Sequence, residues 1–160
     1  MMDDFDVSQG KTAGDLGHEA LWFGLHTIFA VLVLLCIVGV FALAHVDPDS
    51  NNPKILATVL AFLLPLIAGF IVARVREDKT AKYIWISAIL FSSIVYVWVL
   101  DLPTGNGLCE HCGPVEKLYR TFFDINHGSG LMGGDGLLVG TWIPLSMIGY
   151  AVGAKLGLDN

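Results

Sequence analysis

The sequence predicts an all-α integral membrane protein: four transmembrane helices with a short amphipathic surface helix between the third and the fourth. Three observations carry that expectation. The 160 residues are 54% hydrophobic and only 15% charged, with a mean hydropathy of +0.66. A soluble domain carries roughly 25% charge, so a polar surface all round and disorder are both excluded. The apolar residues are gathered into four long runs rather than scattered. Each run lacks Asp, Glu, Lys and Arg, with no polar stripe at a 3.6-residue period.

The runs are 21–44, with 24 residues, and 55–72, 83–100 and 137–154, with 18 each. At 1.5 Å per residue, about 17–25 residues cross a hydrocarbon slab of about 30 Å. Backbone groups in lipid must be satisfied within the segment, which makes helices the expected form. Residues 1–18, with Asp3, Asp4, Asp6 and Asp15, are expected to form a flexible acidic tail ahead of a single four-helix domain over 19–156. This polar lead-in, without a basic n-region, argues against a cleaved signal peptide. Gly10-Lys11-Thr12 lacks the upstream glycine and strand of a phosphate loop.

Orientation follows from the bases. Arg74, Arg76, Lys79 and Lys82 lie between the second and third runs. Setting that loop in the cytoplasm brings Lys11 and Lys155 with it and leaves Lys54, Lys117 and Arg120 outside. Both termini are then cytoplasmic, and an inner membrane of prokaryotic type is the expected location. Trp22, Tyr83, Trp85 and Tyr150 fall near the inner interface, and Trp98 and Trp142 near the outer one. The net charge of −6 argues against nucleic acid as a partner. Membrane lipids and other membrane subunits are the expected partners.

The connection 101–136, extracytoplasmic on this topology, holds most of the chemistry-bearing residues. Gly113-Pro114 reads as a helix start. Val115, Leu118, Phe122 and Phe123 then recur at helical spacing opposite Glu116, Lys117 and Arg120, so this helix is expected to lie with its apolar side on the membrane. Beyond it, Asp124-Ile125-Asn126-His127 leads into Gly128, Gly130, Gly133, Gly134 and Gly136, a tight re-entry loop or one shaped around a ligand. Asp135 would cap the last helix.

Cys109-Glu110-His111-Cys112 can close a disulfide, exchange with another disulfide or bind a soft metal. An oxidising compartment favours the disulfide. In a metal site Cys109, Cys112 and His127 supply three ligands, with His111, Glu110 or Asp124 as the fourth. Cys36, within the first run, reads as a small buried hydrophobe. In outline the chain resembles the quinone-linked thiol oxidases and the vitamin K epoxide reductase group, which combine four spans with an extracytoplasmic cysteine pair. It departs from both in lacking a second pair, and 24 residues separate Cys112 from the last apolar run. No residue role is carried over from them.

Polar residues inside the runs are costly and therefore informative. Glu19 and His26 share a helical face with Trp22 nearby, a set suited to a quinone, a haem edge or a proton. A pigment or haem bound through His26 or His127 is the corresponding expectation. Ser92, Ser93 and Tyr96 fall within one arc and suit interhelical hydrogen bonds. Gly136/Gly140 and Gly149/Gly153 form two small-residue faces on roughly opposite sides of the last helix, suited to close neighbours in the bundle or in another subunit. Pro65 and Pro144 each permit a kink. No constellation fixes a reaction. The expected role is that of a small non-catalytic subunit of a membrane complex that contacts its partners through glycine-rich helix faces and its extracytoplasmic loop, with an extracytoplasmic thiol-redox or metal protein using Cys109 and Cys112, and a haem, quinone or pigment binder, as alternatives.

Overall fold

The computed structural model describes residues 13–44, 51–103, 112–125 and 136–159. The described residues are mostly helical, with short turns between the helices and no strand. Five helices follow one another: α1 (Ala13–Leu43), α2 (Asn51–Val75), α3 (Trp85–Asp101), α4 (Pro114–Phe122) and α5 (Ile143–Asp159). A 3₁₀ turn, Ala81–Tyr83, leads into α3, and a π-helical stretch, Leu138–Trp142, leads into α5. Among the described residues, three helical stretches are long and apolar enough to cross a membrane: Gly14–Leu43, Asn52–Val75 and Ala81–Asp101.

Each helix end has a local cause. α1 begins at Ala13, inside the segment expected to be a tail, with Asp15 placed where a helix start favours negative charge. Pro53 lies in the first turn of α2, where its missing N–H costs nothing. α3 ends at Leu102, whose extended backbone (φ −60°, ψ 131°) is the conformation that the following Pro103 demands. α4 starts as the sequence predicts, with Gly113 as the cap and Pro114 as the first helical residue.

The core is built around α5. Its glycines lie so close to α2 that a Cβ on Gly149 would come within 2.3 Å of the Phe62 carbonyl oxygen, and one on Gly153 within 1.9 Å of Leu66 O. Gly157 continues the row against Phe70, and Gly69 answers from α2 with a Cβ position 2.2 Å from Tyr150 O. Phe62, Leu66 and Phe70 repeat every fourth residue, as do the three α5 glycines, so two backbones lie nearly in contact along one seam. The remaining core is also built from small residues: Ala30, Ala73, Ala81, Ala88, Ala151 and Ala154 surround Tyr150. The glycine faces read from the sequence therefore pack within this chain.

Two expectations are corrected. Lys117, expected on the outward polar face of α4 with Glu116 and Arg120, is turned inward, while Glu116 stays exposed and Arg120 half-exposed. Lys117 and Thr121 are its buried residues, while Val115 is 80% exposed and Phe123 68% exposed. The physical reason is that α3 ends nearby with unsatisfied carbonyls: the Lys117 ammonium donates to Leu100 O and Leu102 O. Second, Cys36 is a free cysteine facing out of the bundle, not into it. α5 itself spans 17 residues and follows directly on the π stretch.

Candidate functional site

At the end of the bundle that carries the α2–α3 turn, three segments bring polar side chains together. His26 of α1 and Tyr150 of α5 are both buried, and the tyrosine hydroxyl lies 2.9 Å from His26 Nδ1. The other ring nitrogen, Nε2, lies 3.4 Å from a carboxylate oxygen of Asp78. Asp78 belongs to the turn after α2. Its second oxygen accepts the Thr80 backbone N–H at 2.9 Å and the Thr80 hydroxyl at 2.7 Å. Asp78, His26 and Tyr150 thus form a continuous polar chain from the turn into the core.

The electrostatics keep this chain ionised at its outer end. Burial pushes the Asp78 carboxyl upward, but the hydrogen bonds from Thr80 and His26, with the imidazole's charge, outweigh it. The net effect holds it below its ordinary value. With Asp78 ionised, His26 donates to it from Nε2, and Nδ1 faces the Tyr150 hydroxyl. Both ring nitrogens are then engaged, so ligating iron through His26 would require breaking one of these bonds. Arrangements of this kind order a proton path or pin a loop to two helices.

Trp22 stands one turn before His26, their rings 6.0 Å apart, and its indole N–H donates to His18 Nε2 at 3.0 Å. The Arg76 guanidinium lies 3.5 Å from the centre of the Trp22 ring, a close cation–π stack. Glu19, expected as the carboxylate partner of His26, is half-buried on the same helix. The structure supplies Asp78 instead, 52 residues away. No single-helix periodicity could have indicated it. Tyr150 was legible only as an interfacial aromatic.

The opposite end of the bundle holds two buried lysines. Lys117 is satisfied by the α3 carbonyls. Lys54, in the first turn of α2, is 3% exposed, and its ammonium has no hydrogen-bond partner among the described residues. Here α4 is fixed at three points. Besides Lys117, Thr121 lies against Gly140, where a Cβ would come within 2.4 Å of Thr121 O. The third is the Thr141 hydroxyl, which donates to Phe122 O. The π stretch carrying Gly140 and Thr141 is therefore the seat of α4, and Trp142 within it donates to Thr58 of α2 at 2.8 Å.

Ser92, Ser93 and Tyr96 line an open groove of about 620 Å³ between α3 and α4, with Leu118, Phe123 and Ile148. Tyr96 is 48% exposed. Ser93 returns its hydroxyl to Ile89 O of its own helix, at 2.8 Å. The hydroxyl pair that does join two helices is Thr27 with Ser87, 3.0 Å apart, a contact not anticipated from the sequence.

Of the expected cysteine and histidine cluster, Cys109, Glu110, His111 and His127 lie outside the described residues. Cys112 is buried at the head of α4, and Asp124 is half-buried after it. Gly136 is buried where the final helical segment begins. Among the described residues, no three of His, Cys, Asp and Glu gather as a metal site. Comparison of the chain with protein-family models, with curated proteins and with solved structures gives no match.

Proposed function

We propose that this chain is a small, non-catalytic integral subunit of a larger membrane protein complex. It crosses the bilayer four times, with both termini in the cytoplasm of a prokaryotic inner membrane, and it meets its partners through the outward side of α3 and α4. The π stretch and α5 run on as 22 residues of helix, about 33 Å at 1.5 Å per residue, which supports a fourth crossing. The bases at the opposite end support the orientation: Lys54 and Lys117 are buried, and Arg120 is held by Glu116 at 2.7 Å. The free bases, Arg74, Arg76, Lys79 and Lys82, sit at the other end.

The observation that carries the reading is the groove at Ser92, Ser93 and Tyr96. These hydroxyls lie on the outward side of the apolar stretch Ala81–Asp101, with the serines near its middle. Ser93 is satisfied within its own helix, but lipid offers the half-exposed Tyr96 hydroxyl no hydrogen-bond partner, whereas a neighbouring helix does. The stacked Tyr119 and Phe123 extend the same surface along α4. The α5 glycine seams are occupied within the chain, so among the described residues the polar α3 face is the one this reading assigns to protein contact.

Extraction from native membranes in mild detergent, followed by native sizing, tests this. A particle containing fixed companion subunits is expected. Ser92→Ala, Ser93→Ala and Tyr96→Phe together should release the chain without lowering its thermal stability. A lone, monodisperse chain under the mildest extraction, or a particle made only of copies of it, contradicts the proposal.

A further inference from the structure

A second groove, of about 340 Å³, runs along α1 on the side away from α3. It is lined by Trp22, Leu25, Phe29 and Leu32, with Val72 and Tyr150 forming its far wall. From residue 22 to residue 32 it extends about 15 Å along the helix, the depth of one leaflet of a bilayer with a hydrocarbon slab of about 30 Å. Its surface is hydrocarbon and ring face with next to no polar area, because His26 and Tyr150 have turned their polar atoms toward each other and Asp78. That surface suits an acyl chain. It does not suit the carbonyl-bearing head of a quinone, which needs polar atoms facing it.

The mouth of the groove is positively charged. The Arg76 guanidinium sits over the Trp22 ring, 3.5 Å from its centre, and so stands at the edge of the groove with N–H groups to offer. The turn holds two acids, Glu77 and Asp78, against the four bases Arg74, Arg76, Lys79 and Lys82, and Asp78 is committed to Thr80 and His26. The adjoining cations are braced in the same way, with Arg74 over Phe70 at 5.5 Å and Lys82 over Tyr83 at 5.1 Å. Cations stacked on aromatic rings at the end of apolar helices lie at the level of lipid headgroups.

We infer that this groove is a binding site for an anionic phospholipid: one acyl chain lies along α1 from Trp22 to Leu32, and the phosphate is held by Arg76. The inference requires only that the helices lie in a bilayer, and it does not depend on the partner contact at α3. The purified full-length protein in mild detergent is titrated with dioleoyl phosphatidylglycerol or dioleoyl phosphatidylcholine, and retained lipid is counted by native mass spectrometry. One phosphatidylglycerol per chain should be retained at lipid levels where phosphatidylcholine is lost.

Arg76→Gln should lower phosphatidylglycerol retention about fivefold, the usual effect of one interfacial cation on an anionic lipid. Arg76→Lys should retain most of it. Arg76 is exposed, so these variants leave the core untouched. Leu25→Trp, which fills the groove, should lower retention of both lipids, with helicity checked by circular dichroism. Equal retention of the two lipids by the unaltered protein overturns the inference, as does retention unchanged in Arg76→Gln. Displacement of the bound lipid by an equimolar short-chain quinone overturns it in favour of a quinone site.

Discussion

α5 and α1 draw on the same vocabulary of glycine, alanine and branched aliphatics, yet they hold opposite positions in the molecule. α5 presents Gly149, Gly153 and Gly157 to α2 at distances that leave no room for a Cβ. On α1, Gly17, Gly24 and Gly39 have nothing within 4 Å of where a Cβ would stand. Leu21, Leu25, Ile28, Leu32 and Leu35 of α1 face outward, whereas most of α5 is buried. A glycine therefore marks a contact in this chain only where a second backbone lies directly against it. Composition alone does not distinguish a buried helix from a peripheral one when the solvent is lipid.

The sharpest way to break this comparison is to add one methyl group to each helix. Gly153→Ala forces a carbon to within 1.9 Å of a backbone oxygen that cannot swing aside. It should destabilise the fold by more than the ~1–3 kcal/mol usual for overpacking. Unfolding in mixed micelles, followed by circular dichroism, measures the effect. Normal stability in this variant would mean that α2 and α5 are not in backbone contact.

A smaller loss is expected at the polar chain. Tyr150→Phe removes the hydroxyl bonded to His26 and leaves a buried ring nitrogen unsatisfied, at a cost of about 1–3 kcal/mol. Asp78→Asn sharpens the assignment through pH. The folded carboxyl is held below its unfolded value of about 3.9, so its contribution to stability is complete above roughly pH 4. That contribution is lost as pH falls through the lower, folded value. The substituted protein should therefore lack this part of the acid transition while keeping its shape near neutrality. A stability–pH curve identical to that of the unaltered protein would remove Asp78 from the chain.

The smallest effect, and one of opposite sign, is expected on α1. Gly39→Ala meets open space and gains helix propensity, so stability should rise by about 0.5–1 kcal/mol.

The parts of the fold that were legible in the sequence are those set by short-range rules. Long charge-free runs gave three of the membrane-length helices, and Gly113-Pro114 marked the start of α4 to the residue. The pairing of His26 with Trp22 was visible because four residues make one helical turn. What was not legible depends on chain reversal. Asp78 reaches His26 only because the α2–α3 turn folds back over α1. Lys117 belongs by periodicity to a polar face, yet a broken helix end at Leu100 to Leu102 offers it better partners than water does. Gly149 and Gly153 announced a close neighbour, but only packing shows that the neighbour is α2 of the same chain.

The contrast extends to the outward faces. That of α1 around Val40 is apolar, while that of α3 carries Ser92, Ser93 and Tyr96. The central claim, that the α3 face meets protein and the α1 face meets lipid, is tested most directly by a photo-crosslinking residue placed at position 93 or position 40 in native membranes. Position 93 should yield an adduct of one discrete mass with another polypeptide, and position 40 only lipid adducts. Lipid adducts alone at both positions would contradict the account.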